Sequence, residues 1–230
     1  MWHTKTISDV KRELKTNLNY GISSEEIEER KKLYGENIIK GKKKKNIIIK
    51  FFEQFNDFMI ITLIIAAIIS SVVSYMQGIN DYVDSIIIIA IVVFNAILGL
   101  IQESKAEKAI DALKKMSAPT AKVKRDNKIM SIPSEDIVVG DLILLEAGSY
   151  VPADCRLIES HNLKIEESSL TGETVAVSKD ASLVLNTNTI LGDMVNMAFA
   201  TTIVNNGHGE GIVTDVGMKT KVGQIAKMII

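Results

Sequence analysis

The sequence predicts an α+β membrane protein, in which a transmembrane helical hairpin connects short N-terminal helices to a β-rich cytoplasmic domain. Two nearly uncharged apolar stretches lie close together near the middle of the chain. After residue 120 the apolar residues change from helical to alternating spacing, with turn residues between the segments. Mean hydropathy is +0.18 although 24% of the residues are charged, so apolar residues are concentrated in part of the chain.

The composition argues against several classes of protein. The chain has 230 residues, with 27 basic and 28 acidic side chains and a net charge of -1. Such a balance gives no support for nucleic-acid binding through bulk positive charge. Cys155 is the single cysteine, which rules out an internal disulfide framework. The three histidines lack ligand spacing. We therefore expect no nucleic-acid partner and no metal site in this chain.

Residues 1–45 are expected to form a cytoplasmic N-terminal segment of short helices. Helix starts are indicated at residues 8–11 and 23–26, the second with the spacing of a capping box. A weakly amphipathic stretch follows and ends at Gly35, which suits the residue after a helix.

Residues 46–116 contain two predicted membrane spans, at about 58–78 and 84–102. Between Phe58 and Asn80 the only ionisable side chain is Tyr75, and residues 85–102 contain none. A helix needs about 20 apolar residues to cross a bilayer, so two adjacent runs favour a membrane hairpin over buried soluble helices. The second helix is expected to continue into the cytoplasm as far as Met116.

The charges that flank the spans predict their orientation. Asp81 and Asp84 lie in the short connection, which has no basic residue. Lysines flank the other ends, at positions 40, 42, 43, 44, 45, 50, 105, 108, 114 and 115. By the positive-inside rule both ends of the chain are cytoplasmic. We expect an integral membrane protein, and the plasma membrane is the natural compartment for a chain without targeting signals.

Polar residues at the cytoplasmic end of the first span have two interpretations. Asn56 and Asp57 lie there, and Asn95 lies within the second span. Interfacial solvation and a helix–helix hydrogen bond would explain them without a function. The alternative is an ion entry path, for which Asp57 and Asn56 are the candidates.

Residues 117–230 are expected to form a sandwich-like or jelly-roll-like β domain. Alternating segments on both sides of residues 125–128 predict a hairpin. Further strands are predicted at 142–146, 155–159, 198–204 and 210–214. Turns are predicted between them, including one at residues 207–209.

One acidic segment, residues 163–174, is a candidate for chemistry. It contains Thr171, Gly172 and Glu173 in succession. A glutamate on a tight glycine-containing loop projects from a rigid scaffold. It could orient a water for attack on an acyl or phosphoryl group of another domain. The alternative is an exposed turn without a function, because a lone match to this tripeptide is common.

Read in order, six segments resemble the N-terminal part of the P-type cation-transporting ATPases. They are residues 20–37, 55–57, 95–113, 140–154, 167–173 and 217–226. The pattern Asn-Ala-Ile-Leu-Gly, followed by Gln-Glu, in the second helix is most similar to calcium pumps of the type II group. Sodium, proton and other cation pumps of that group stay open.

The resemblance implies that residues 117–230 are an actuator domain. In that family the loop glutamate, here Glu173, positions the water that hydrolyses an aspartyl-phosphate on the phosphorylation domain. Thr171 and Gly172 would shape this loop, and Thr174 stands where serine is usual. The implied partners are membrane lipid, the phosphorylation domain and remaining helices of the pump, and the transported cation. Mg²⁺ and ATP would serve the full-length pump, with no cofactor in this chain.

The motif Asp-Lys-Thr-Gly, which holds the phosphorylated aspartate of the family, does not occur in the 230 residues. We therefore expect a fragment or truncated form that neither hydrolyses ATP nor transports ions alone. The alternative is a self-contained small membrane protein whose β domain is a binding or regulatory module.

Overall fold

The computed structural model describes residues 1–39, 46–76, 83–116 and 119–229. The chain divides into two compact units. The first contains Met1–Lys42 and Ala118–Ile230, and the second contains Lys43–Ser117. The N-terminal segment therefore belongs to the same unit as the β-rich part. Several features of the sequence analysis lie outside the described residues. They are the end of the first predicted span at residues 77–78, Asp81, the lysines at 40 and 42–45, and the end of the second predicted helix at residues 117–118.

Two short helices begin the first unit, α1 (Ile7–Leu14) and α2 (Glu26–Tyr34). Thr6 caps α1, because its hydroxyl accepts a 3.2 Å hydrogen bond from the amide of Asp9. The buried guanidinium of Arg30 in α2 donates to the carbonyls of Leu14 and Val139, at 3.0 and 2.9 Å. Arg30 thus satisfies the end of α1 and fixes it to the β-rich part. The predicted end of α2 at Gly35 is confirmed, with φ of +92°.

The second unit contains the helices α3 (Ile47–Glu53), α4 (Phe58–Met76) and α5 (Val83–Met116). Within the described residues, Phe58–Met76 and Val83–Ile110 are long and apolar enough to cross a membrane. The hydroxyl of Ser85 in α5 donates to the carbonyl of Ala67 in α4 at 3.1 Å. The hydroxyl of Ser71 donates to Ser85 at 2.8 Å. Such bonds hold adjacent helices together without water.

Seven strands form one antiparallel sheet in the order β2-β1-β3-β7-β4-β5, with β6 paired to β4. They are β1 (Thr120–Arg125), β2 (Lys128–Pro133), β3 (Leu142–Glu146), β4 (Asp154–Glu166), β5 (Val177–Ser178), β6 (Met197–Ala198) and β7 (Ile203–Asp215). The predicted hairpin is confirmed, since Arg125 pairs with Lys128 across Asp126 and Asn127, both with positive φ.

Several predicted strand limits are wrong. The segments at 155–159 and 210–214 are parts of the 13-residue strands β4 and β7, and the segment at 198–204 is divided between β6 and β7. The turn predicted at residues 207–209 lies inside β7. A Cβ at Gly207 would lie 2.3 Å from the carbonyl oxygen of Asn162, so glycine is needed there for close approach of β4.

Two clusters of buried side chains form the core of the first unit. The larger cluster joins α1, through Val10 and Leu14, to inward-facing residues of the sheet. The smaller cluster contains Met194, Met197 and Phe199. Two further helices complete this unit, α6 (Ser168–Thr171) and α7 (Lys221–Ile229).

Candidate functional site

Most of the acidic segment lies outside the sheet. Residues 167–176, here called the excursion, connect β4 to β5. The two strands pair where Lys164 lies opposite Ser178 and Ile165 lies opposite Val177. The chain leaves β4 through α6 and returns through residues 172–176, here called the Glu173 loop. The base of the excursion is therefore fixed to the sheet, while residues 172–175 at its tip are exposed.

Gly172 ends α6 in the left-handed region. Its φ is +77°, and its amide donates to the carbonyl of Ser168 at 3.0 Å. No atom lies within 4 Å of the position that a Cβ would occupy. Backbone conformation, and not lack of space, therefore favours glycine here.

Thr171 connects α6 to Glu173. Its hydroxyl donates to the carbonyl of Glu167 at 3.1 Å and accepts a hydrogen bond from the amide of Glu173 at 3.3 Å. Glu173 and Thr174 are both exposed. Within the described parts of the chain, the carboxylate of Glu173 forms no hydrogen bond or ion pair. It is free to contact a group from outside this chain.

A buried ion pair lies at the base of the same excursion. Nζ of Lys179 is 2.6 Å from Oε1 of Glu167, and the two side chains are 0% and 1% exposed. Burial raises the pKa of Glu167 and lowers the pKa of Lys179, and the charge of each partner opposes these shifts. This pair was not predicted from the sequence. Its only local signal is a lysine directly after an alternating segment.

Arg156 holds the chain that follows the excursion. Its buried guanidinium donates to the carbonyls of Ala181 and Leu183, at 3.0 and 2.8 Å, and to that of Asn196 at 3.2 Å. These bonds satisfy buried carbonyl groups and connect residues 181–196 to β4. Leu185 and Leu191 in this segment pack against the same small cluster of buried side chains as Leu170 of α6.

Asp154, the first residue of β4, is another buried carboxylate. Its oxygens accept hydrogen bonds from the amides of Ala200, at 2.8 Å, and of Lys221, at 2.7 Å. The second bond caps the start of α7. Burial raises the pKa of Asp154 to about 6, although both hydrogen bonds act in the opposite direction.

The ion-path candidates lie in the second unit. Asp57 precedes α4, and its Oδ1 accepts a 2.8 Å hydrogen bond from the amide of Met59 and a 3.4 Å one from that of Ile60. Asp57 therefore caps α4, a role that sequence analysis did not consider. Asn56 is exposed in the turn before it. In the described ranges, no group of three or more His, Cys, Asp or Glu side chains could hold a metal ion.

Comparison with known proteins gives two family matches. The model of the P-type ATPase actuator domain matches residues 115–230, and that of the cation transporter/ATPase N-terminus matches residues 2–70. The two matched ranges contain five of the six segments on which the sequence resemblance rests, and the sixth, residues 95–113, lies between them. Together they include the Glu173 loop and most of the first membrane helix.

Three relatives show the extent of the similarity. Calcium-transporting ATPase 1 of Bacillus cereus is 45% identical over 99% of this chain and 26% of its own length. Calcium-transporting ATPase of Bacillus subtilis is 38% identical, over 99% of this chain and 25% of its own. Calcium-transporting ATPase 2, endoplasmic reticulum-type, of Arabidopsis thaliana is 39% identical, over 95% and 22%. The chain spans about a quarter of the length of these relatives.

Proposed function

This chain belongs to the P-type ATPase family and contains its actuator domain, and on that premise we propose that it is the N-terminal and actuator part of an ATP-driven Ca²⁺ pump. The names of the relatives and the sequence pattern in the second membrane helix support Ca²⁺ as the transported ion. In this proposal the cytoplasm contains residues 1–45 and 117–230, and residues 46–116 cross the plasma membrane twice.

We propose that Glu173 promotes hydrolysis of an aspartyl-phosphate on the phosphorylation domain of the pump. Its carboxylate accepts a hydrogen bond from a water and aligns the water oxygen with phosphorus. The new oxygen–phosphorus bond forms as the bond to the aspartate oxygen breaks, and the water proton moves toward Glu173. Inorganic phosphate and a free aspartate carboxylate result.

The observation that carries this proposal is the exposed carboxylate of Glu173 at the tip of a loop whose base is buried. A rigid base limits the positions that the tip can take, and this lowers the entropy lost when the water is aligned. Thr171 and Gly172 contribute by setting the backbone direction at Glu173. Thr174 replaces the usual serine and keeps its hydroxyl.

ATP and Mg²⁺ bind, in this proposal, to parts of the pump outside the 230 residues. Asp57 and Asn56 are proposed to lie near the cytoplasmic ion path. Lipid surrounds α4 and α5, whose apolar side chains are largely exposed.

The test replaces Glu173 by Gln in the whole pump and measures decay of the phosphoenzyme formed from ATP. Loss of a general base is expected to slow decay by about 100-fold or more, with phosphoenzyme formation unchanged. Glu135→Gln is the matched control, because Glu135 is also exposed in the actuator domain but lies in a different turn. Decay at the wild-type rate in Glu173→Gln would contradict the proposal.

A further inference from the structure

We propose that Glu167 and Lys179 form a positioning pair, which holds the Glu173 loop in the geometry needed for attack of water on the aspartyl-phosphate. The inference rests on the proposed function of Glu173 and adds two residues that do not touch the reacting atoms. Glu167 directly precedes α6, and Lys179 directly follows β5. The pair therefore joins the two ends of the excursion that contains the loop.

The ion pair connects the two ends of the excursion within the core of the domain. Nζ of Lys179 and Oε1 of Glu167 are 2.6 Å apart, and both side chains are almost completely buried. Neither carboxylate oxygen of Glu167 has a well-aligned hydrogen-bond partner among the described residues. The charge of the carboxylate is therefore compensated by the ion pair with Lys179, because a buried unpaired charge is strongly unfavourable. The two ends of the excursion cannot separate without breaking this pair.

Backbone contacts connect Glu167 to the tip of the loop. Its carbonyl accepts hydrogen bonds from the amides of Leu170 and Thr171, both at 2.9 Å, and from the hydroxyl of Thr171. That hydroxyl in turn accepts a hydrogen bond from the amide of Glu173. A displacement of Glu167 is therefore transmitted through Thr171 to the residue that carries the catalytic carboxylate.

Lys179 is fixed by further contacts on the core side. Its amide donates to the carbonyl of Leu163 at 2.9 Å, and its Nζ lies 3.5 Å from the carbonyl oxygen of Met194. The ammonium is also 5.7 Å from the centre of the Phe199 ring. Leu170 of α6 packs against the same small cluster of buried side chains. These contacts limit the position of Lys179, and the ion pair in turn limits the position of Glu167.

Stability alone is a weak explanation for the pair. Buried ion pairs often stabilise a fold no more than apolar residues of similar size, because the cost of desolvating two charges offsets their attraction. A neutral double variant can therefore separate positioning from folding. We choose Glu167→Gln with Lys179→Met, which leaves no unpaired charge in the core.

The main experiment measures phosphoenzyme decay in the whole pump with this double variant. A shift of the loop by about 1 Å is enough to slow the reaction by roughly 10- to 100-fold. We expect slower decay in that range, with formation of the phosphoenzyme from ATP unchanged. Decay at the wild-type rate in the folded double variant, whatever its thermal stability, would overturn the inference.

A matched control distinguishes a lost position from a general loss of stability. Arg125 and Asp141 form another buried ion pair in the same domain, outside the excursion. The double variant Arg125→Met/Asp141→Asn should affect thermal stability but leave phosphoenzyme decay at the wild-type rate. Equal slowing by both double variants would contradict a specific role of Glu167 and Lys179.

A second measurement covers the case in which the double variant does not fold. Lys179→Arg keeps the charge but changes the shape of the side chain and its hydrogen-bond geometry. In the 230-residue chain we expect the amides of Leu170, Thr171 and Gly172 to exchange about tenfold faster with solvent, since local opening becomes easier. The amides of Ile212 and Val213 in β7 serve as reference. Unchanged exchange at all three amides of residues 170–172 would overturn the inference.

Glu173→Gln in the same membranes separates this inference from the proposed function. If the phosphoenzyme of Glu173→Gln decays at the wild-type rate, the proposed function is wrong, and the positioning role is wrong as well. If phosphoenzyme decay is slower in Glu173→Gln but not in the Glu167/Lys179 double variant, only the positioning role is wrong.

Discussion

Arg125 and Asp141 form a two-pronged ion pair within the β-rich unit, with Nε to Oδ1 at 2.7 Å and Nη2 to Oδ2 at 2.6 Å. The side chain of Asp141 is completely buried, and that of Arg125 is 6% exposed. Asp141 also accepts a 2.8 Å hydrogen bond from the amide of Val138. The pair therefore joins the end of β1 to the turn that precedes β3.

Replacing Asp141 by Asn is expected to lower the free energy of unfolding by about 3–5 kcal/mol, because Arg125 would remain buried without a counter-charge. Denaturant unfolding of the 230-residue chain measures the change. Glu146→Gln is the control, since Glu146 pairs with Lys122 at the surface and both side chains are about half exposed. The control should change stability by about 1 kcal/mol or less. Equal effects would contradict the prediction.

Gly172→Ala should slow phosphoenzyme decay in the whole pump and destabilise the domain by about 1 kcal/mol, because alanine is strained at a φ of +77°. Gly148→Ala is a close control. Gly148 has a φ of +88°, and no atom lies within 4 Å of its potential Cβ. The control should lose similar stability but keep the wild-type decay rate. Slower decay in both variants would indicate an effect of stability and not of the loop.

Asp154 predicts a specific dependence of stability on pH. With its pKa raised to about 6, the folded chain keeps a proton at pH 4–6 that the unfolded chain has already lost. The folded state binds more protons in this window, so the contribution of Asp154 to the free energy of unfolding falls as pH rises. Thermal unfolding of the wild type and Asp154→Asn from pH 4 to 7 measures it.

The wild type should lose stability relative to Asp154→Asn between pH 4 and 6, and the difference should become constant at higher pH. Asp215, whose pKa burial also raises, is present in both proteins and contributes largely equally to each. A difference that does not vary with pH would show that Asp154 is ionised throughout this range.

Asp57 can be tested for a role beyond helix capping by two substitutions. Asn keeps an oxygen for the amides of Met59 and Ile60 but removes the charge, whereas Ala removes both and should cost about 1 kcal/mol. If Asp57 lies on the ion path, Asp57→Asn should raise the Ca²⁺ concentration for half-maximal phosphorylation by about tenfold. Wild-type Ca²⁺ dependence in Asp57→Asn, with a defect only in Asp57→Ala, would restrict Asp57 to capping.

Local patterns predicted the features of the fold that depend on neighbouring residues. Asp126 and Asn127 tolerate positive φ, so the hairpin between β1 and β2 could be placed from sequence. Gly35 ends α2 for a similar reason. The two membrane-length helices follow from apolar runs that no other local structure explains. In each case the physical cause lies within a few residues of the feature.

Features that depend on distant contacts were missed or misplaced. Gly207 looks like part of a turn, but the structure uses it where β7 approaches β4 at an irregular register. Nothing local distinguishes a glycine in a turn from one beneath another backbone. The pairing of Glu167 with Lys179 was equally hidden, because the chain folds back over twelve positions before the two charges meet. Glu173 was a candidate from its place beside Gly172 in an acidic segment, and the family resemblance supplied its expected role; it is exposed in the structure.

The buried base and the exposed tip of the excursion differ in the substitutions that they tolerate. Glu167 and Lys179 are buried and contact each other, so a change at either position disturbs a neighbour inside the domain. Thr174 is exposed, so a change there leaves the packing of the domain in place. Threonine and serine, which differ by one methyl group, can therefore replace each other at position 174 without moving the residues that support the loop.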